Sequence, residues 1–382
     1  MGKQTRTALM FVLLAGAVSL ACRPVYGQQS DNSDHDRGPA VFVMTNAADR
    51  NEVIAYTRNA DGTLSEGGHY STGGRGSGGN NDPLESQGSL TFTQDRSQLL
   101  AVNAGSGDIS RFRVHGSDLD LADHVPSGGS EPNAIALHGG LVYVLNTGGS
   151  SSVVGFRLHS GELTPIVNSL RFLSTNTSGG SSLAFSPDGQ FLVVTERLTN
   201  KIDVFLVQSD GTLSPAVYNP SAGPGAFSLS FAPNGTTIVS ETGAAGVPNG
   251  SAVSSYTILT TGTLSVITAS APTLGAANCW NAVTPDGRFA YFSNAGSSSI
   301  SGFAISPLGA PTPLPGTVVG HNPSGATNLD IAISGDGKFL YSLNSGNGSV
   351  GIFAIQKDGT LHAVGSAGGV SPNSGFGGIA AE

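Results

Sequence analysis

The chain has 382 residues, 17 Lys and Arg against 26 Asp and Glu, and a formal net charge of -9. That balance argues against nucleic acid and anionic membrane surfaces as partners, and two cysteines cannot build a disulfide framework. With Gly 55, Pro 20 and only 11% charged residues, the composition is that of a turn-rich chain without sustained helical periodicity.

In chain order, Lys3 and Arg6 precede an apolar run from Leu9 to Ala21. The run is too short to span a bilayer but suits the core of a signal peptide, and Val25-Tyr26-Gly27 offers a cleavage site before Gln28. Residues 1–27 therefore read as an export leader, 28–39 as a flexible lead-in and 40–382 as one domain. The expected location is periplasmic or secreted, with no membrane span in the mature chain. Ser19-Leu20-Ala21-Cys22 matches a lipoprotein cleavage box only loosely. Cys22 is lost with the leader or lipidated, so Cys279 is left alone.

From Ala40 onward one phrase recurs seven times: a hydrophobic run ending in Asn or Glu, then a Val or Ile, then an aromatic three residues later. The runs end at Asn46 (Val53, Tyr56), Asn103 (Ile109, Phe112), Asn146 (Val153, Phe156) and Glu196 (Ile202, Phe205). They continue at Glu241 (Val253, Tyr256), Asn294 (Ile300, Phe303) and Asn344 (Val350, Phe353). A strand-like repeat of roughly 40–50 residues predicts a β-propeller. Residues 179–213 show the unit: strand Ser182–Phe185, turn Ser186-Pro187-Asp188-Gly189, buried strand Phe191–Val194, alternating strand Ile202–Val207, and a short outer strand at Leu213. The first copy starts at a second strand, whereas Phe376–Ala381 reads as a first strand with nothing after it. Pairing the two closes a ring. The expected fold is all-β: a seven-bladed propeller of four-stranded blades, locked by the C-terminal strand. The Gly73–Gly79 run reads as a flexible inter-blade loop.

In a propeller, the starts of first strands and the ends of second strands meet on one rim of the central channel. Asn103, Asn146, Asn294 and Asn344 at second-strand ends, with Trp280 and Asn328 at first-strand starts, are therefore candidate ligand-binding residues. Glu196 and Glu241 are the only acidic second-strand ends and fall on neighbouring blades. They are candidate catalytic residues, as general base and electrostatic partner. With amide oxygens around them they are also candidate Ca²⁺ ligands, so Ca²⁺ or no cofactor stays open. Two carboxylates so placed repel unless a cation, a proton or a hydrogen-bond donor intervenes. A plainer reading has the strand-end Asn and Glu capping turn amides. No Cys/His spacing suggests zinc.

The units Phe185–Leu192 and Gly337–Asn344 resemble those of the seven-bladed lactonase family, which includes bacterial 6-phosphogluconolactonases and fungal carboxy-muconate cycloisomerases. The resemblance covers residues 40–382 and implies this fold and lactone chemistry. The family's first-strand His positions fall here at Ser182, Ser228 and Ala282, and its sixth-unit Arg at Ala295. Its fifth-unit Glu falls at Thr242, one position after Glu241, and Glu196 stands where the family often has Asp. The acidic rim is partly kept while the His and Arg set is absent. The expectation is an exported, monomeric lactonase-like propeller hydrolysing a small lactone at the channel mouth. The alternative is a non-catalytic propeller that binds a ligand or a protein.

Overall fold

The computed structural model describes residues 1–2, 38–244 and 247–382. The expected leader, beyond its first two residues, lies outside them. Among the described residues no helix is long and apolar enough to cross a membrane.

Seven antiparallel sheets follow one another along the chain, one per repeat. The first blade is completed from the other end of the sequence: Ile379–Ala381 pairs antiparallel with Val41–Val43. Backbone bonds from Met44 to Gly378 and from Gly377 to Met44 continue that ladder. The predicted ring closure therefore holds. Tyr341, from the last blade, donates across the same seam to the Gly62 carbonyl at 3.3 Å.

Burial explains the order of strands within a blade. Second strands lie between neighbouring blades and are buried along their length, as in Phe191–Glu196 and Phe339–Asn344. Outer strands such as Leu64–Ser71 have one wet face and alternate. Apolar side chains interleave between blades: Val41 and Val43 pack with Tyr341 and Leu343. Each such side chain, wholly removed from water, contributes about 1.5–3 kcal/mol.

The repeated turns are fixed by one hydrogen-bond scheme. Ser186 Oγ donates to Asp188 Oδ1 at 2.6 Å, and the Gln190 N–H donates to the same oxygen at 3.1 Å. The pairs Thr284–Asp286 and Ser334–Asp336 repeat it, both at 2.6 Å. Gly189 takes φ 70, which a residue with a Cβ adopts only with strain.

Two local expectations need correction. Leu213 makes only an isolated bridge to Val207, and the outer strand of the fourth blade is Val217–Pro220. Pro215 intervenes and has no N–H for a ladder. The Gly73–Gly79 run is not a free linker. Gly76 and Gly78 donate to the carbonyls of Ala47 and Asn46 at 2.8 and 2.9 Å. A Cβ on Gly76 would stand 2.1 Å from the Asn46 backbone, so glycine here permits close backbone approach.

Candidate functional site

The strand-end residues singled out from sequence are structural. Glu196 is fully buried. Its carboxyl accepts the Ser174 N–H at 2.7 Å and the Ser174 hydroxyl at 2.5 Å, and Thr199 Oγ1 also donates to it. The carboxyl group set against it is that of Asp203, on the next strand of its own blade. Burial first, then the Glu196 charge, pushes the Asp203 pKa up to about 9. Asp203 therefore holds its proton at neutral pH, although neither of its oxygens has a hydrogen-bond partner among the described residues.

Glu241 is equally buried. It accepts from the Gly223 N–H at 2.8 Å and from the hydroxyls of Ser254 and Ser270 at 2.5 and 2.7 Å. Among the described residues the two glutamates share no hydrogen-bond partner, and each is satisfied by its own loop and strands. Each glutamate thus has its own set of N–H and O–H donors, as expected of a cap on its own loop.

The asparagines cap in the same way. Asn103 accepts from Asn51 and Thr72 at 2.9 and 2.7 Å and donates to Asp108 and Ser110 at 2.6 and 2.7 Å. Asn146 accepts from Ser127 at 2.7 Å, Asn294 donates to Ser301 at 2.8 Å, and Asn344 accepts from Ser342 at 3.2 Å. Asn328 donates to Ser293 and to the Ser299 carbonyl. All five are fully buried, so none presents an amide to a ligand. Trp280 is buried too, edge-on to Phe227 at 5.2 Å.

What Trp280 touches reveals the channel. Its Nε1–H donates to the Ser86 carbonyl at 2.8 Å, and Gln87 Nε2 donates to the Asn281 carbonyl at 2.7 Å. The Gln87 N–H donates to the Ser181 carbonyl at 2.9 Å, and Ser86 Oγ to the Asn133 carbonyl at 2.7 Å. Residues leading into the second blade thus bond the third, fourth and sixth blades at once. Only the central channel gives access to all three. The first strand of the second blade is accordingly cut to Leu90–Phe92, and the segment before it plugs the ring.

At the mouth, this plug presents Asp82 and Glu85. Arg197 from the fourth blade pairs with Glu85. Arg197 and Glu85 both lie within electrostatic reach of Asp82, as Asp82 does of Asp330 in the seventh blade. Cys279 in the sixth blade feels Asp82, Arg197 and Glu85 together. Cys279 sits at a register shift between Asn278 and Trp280, and the same shift recurs at Gly180/Ser182, Ala226/Leu229 and Asn328/Ile331. A bulge at this point re-aims the side chains that follow.

The electrostatics of the cluster follow from its enclosure. Burial, then the Glu85 charge, raises Asp82 to about 7, against the Glu85 N–H bond and Arg197. Burial also raises Asp330 to about 7, against N–H bonds from Ile379 and Ile331. Burial and the neighbouring carboxylates drive the Cys279 thiol far up, so it is no nucleophile. Arg197 also lines a surface groove of about 470 Å³ between the fourth, fifth and sixth blades. The mouth thus combines a carboxyl group that titrates near neutrality with a guanidinium beside an open cavity. Among the described residues no group of three or more His, Cys, Asp and Glu is arranged for a metal.

One sequence signal could have found Arg197: it is the basic residue at the position just past a second-strand end, where other units carry Ala47, Ala104, Thr147, Thr242, Ala295 and Ser345. Asp82 and Glu85 had no such signal, because the plug has no counterpart in the repeat.

The chain is thus a closed seven-bladed propeller with an acid–guanidinium cluster beside the segment that fills its channel. The model of the seven-bladed β-propeller lactonase family matches residues 35–175 and 169–279, and the chain belongs to that family. No curated relative matches the sequence. A Bacteroides uniformis protein provisionally assigned as a 6-phosphogluconolactonase shares the fold at TM-score 0.69 and 19% identity, over 90% of this chain and 99% of its own. The periplasmic gluconolactonase PpgL of Pseudomonas aeruginosa does so at TM-score 0.65 and 20% identity, over 89% and 99%. A functionally unknown protein of Desulfotomaculum acetoxidans does so at 0.66 and 14%, over 90% and 98%. At these identities the likeness speaks for the fold.

Proposed function

We propose that this chain is a lactone hydrolase working at the channel mouth, with Asp82 as general base and Arg197 as the group that steadies the carbonyl oxygen. The observation that carries this reading is the convergence of Asp82, which titrates at about 7, with Arg197 beside the groove of about 470 Å³. A base matched to ambient pH transfers protons most effectively. Asp82 takes a proton from water as the oxygen adds to the lactone carbonyl. The ring C–O bond then breaks, and the proton passes to the leaving alkoxide. The product is a hydroxy acid whose carboxylate faces Arg197.

Asp82, Glu85 and Asp330 outnumber the one guanidinium, which favours an uncharged substrate over a phosphorylated one. Family membership and the gluconolactonase neighbour support the reaction class. A panel of uncharged and phosphorylated lactones tests it. The uncharged ones should be hydrolysed, with kcat/KM rising through about pH 7. Asp82→Asn should lower kcat by on the order of 100-fold, and Arg197→Gln should lower kcat/KM. Binding without turnover, or full activity in Asp82→Asn, would overturn this reading.

We also read Leu9–Ala21 as an export leader removed near Gly27. N-terminal sequencing of the protein from the periplasm or medium should begin close to Gln28. An intact Met1 in the cytosol would refute it.

A further inference from the structure

The fourth blade carries a carboxyl group where its neighbours in the repeat carry a hydroxyl. Two residues past the start of the third strand, the second, fifth and sixth blades have Ser110, Ser254 and Ser301. Each of these serines bonds the residue that ends the second strand of its blade. Ser110 accepts from Asn103 at 2.7 Å, Ser254 donates to Glu241 at 2.5 Å, and Ser301 accepts from Asn294 at 2.8 Å. In the fourth blade this place is taken by Asp203, and the second strand ends in Glu196. Both side chains are fully buried.

The pair lacks a group to bridge it. Neither oxygen of Asp203 has a hydrogen-bond partner among the described residues. The Glu196 charge bears on Asp203, and both carboxyl groups bear on Tyr218. The Lys201 ammonium lies over the Tyr218 ring, 5.3 Å from its centroid. The hydroxyls of Ser174 and Thr199 reach Glu196 from the loops on either side. Ser174 and Thr199 are themselves partly exposed, so the pair is one layer below the surface. Two facing carboxylates repel unless a proton or a cation stands with them, and a hydroxyl at the Asp203 position would have avoided the conflict, as Ser254 does beside Glu241.

We infer that Glu196 and Asp203 form a calcium site inside the fourth blade, with the hydroxyl oxygens of Ser174 and Thr199 as further ligands. Two carboxylates and two hydroxyls offer only oxygen, about as many atoms as Ca²⁺ takes. The ion takes the place of the proton that Asp203 otherwise holds, and that proton leaves to solvent. Bound there, it ties the loop entering the blade at Ser174 to the ends of the second and third strands. The site is separate from the channel mouth and does not depend on the hydrolase reading.

The test compares the melting of the purified chain in EDTA and in about 5 mM CaCl2. We expect Ca²⁺ to raise Tm by roughly 3–5 °C, and calorimetry to find one ion per chain. Asp203→Ser, which installs the residue the fifth and sixth blades carry, should fold, melt at least as high as the parent in EDTA, and lose both the Tm rise and the heat of binding. Asp203→Asn, which keeps the shape but not the charge, is the second variant and should lose them too. A parent whose Tm does not respond to CaCl2 and which binds no ion overturns the site. A Tm rise of the parent's size in either variant also overturns it, because the ion would then bind elsewhere.

Discussion

Glu241 is the side chain whose role changes most between sequence and structure. Its Oε1 receives the Gly223 N–H and the Ser254 hydroxyl, and its Oε2 the Ser270 hydroxyl. An amide nitrogen in place of either oxygen would face donors. Glu241→Gln should therefore destabilise the fold by about 1–3 kcal/mol, read as a lower urea midpoint at unchanged m-value. Unchanged stability would reopen the idea that the carboxyl is free for chemistry. Asp203 makes a pH prediction. Its folded pKa is about 9, while in the unfolded chain it ionises near the ordinary aspartate value of about 4. Between those limits the folded state holds the extra proton. Stability is thus greatest below about pH 4 for this group and is lost as pH rises through about 9. An Asp203→Asn variant keeps the shape of the side chain but could not ionise. The variant should show a flatter fall of Tm between about pH 5 and 9 and should gain on the parent at about pH 8. Parallel Tm profiles would show that Asp203 is not the proton holder.

At the scale of elements, the plug is a first strand diverted from its blade. Leu90–Phe92 is all that remains paired with the strand Gln98–Asn103. Upstream, Gln87 imitates a strand neighbour: its side chain accepts the Asn281 N–H at 3.2 Å and donates to the Asn281 carbonyl at 2.7 Å. Trp280 holds the adjoining carbonyl of Ser86. These bonds fix Asp82 and Glu85 against Arg197, so they position the mouth without touching substrate. Trp280→Phe keeps most of the apolar packing but leaves the buried Ser86 carbonyl without its donor, which should cost about 1–3 kcal/mol. It should also shift the midpoint of the kcat/KM pH profile, since the enclosure of Asp82 changes. A variant that loses stability with an unaltered profile would make Trp280 a packing residue only. The aspartate turns behave differently. The Ser186 hydroxyl, more than any other contact, holds the Asp188 carboxyl below the usual carboxylate range. The repetition of this turn marks a folding rule of the blade, not chemistry.

The whole molecule depends on one seam. Ala40–Met44 is apolar and fully buried, and its second ladder partner is Ile379–Ala381. Phe376 and Ile379 pack into the same core as Val41, Val43 and Tyr341. Deleting residues 374–382 would bare the edge of an apolar strand. We expect Tm to fall by roughly 10 °C or more, with aggregation of the truncated protein. A truncated chain that melts with the full-length one would show that the ring is held by blade packing alone. The contacts across the channel from Ser86 and Gln87 add a second tie, from the inside, between blades that are not neighbours in the ring.

The sequence alone determined the number of blades, the order of strands and the closure of the ring. Each rests on a pattern repeated along the chain, in which buried second strands, Asp-Gly turns and a half-unit at each end are local signals that seven copies reinforce. It also carried the family resemblance. The regularity that made the fold legible misled the reading of the site. Asn and Glu recur at strand ends because every blade must cap the loop that enters it, so repetition there marks architecture. The candidate site comes from what is not repeated: the Asp82–Gln87 plug and Arg197 among small residues. Only tertiary structure could bring these together, because they meet across the channel from blades that the chain visits far apart. Burial in that shared space, not residue type, sets the proton affinity of Asp82.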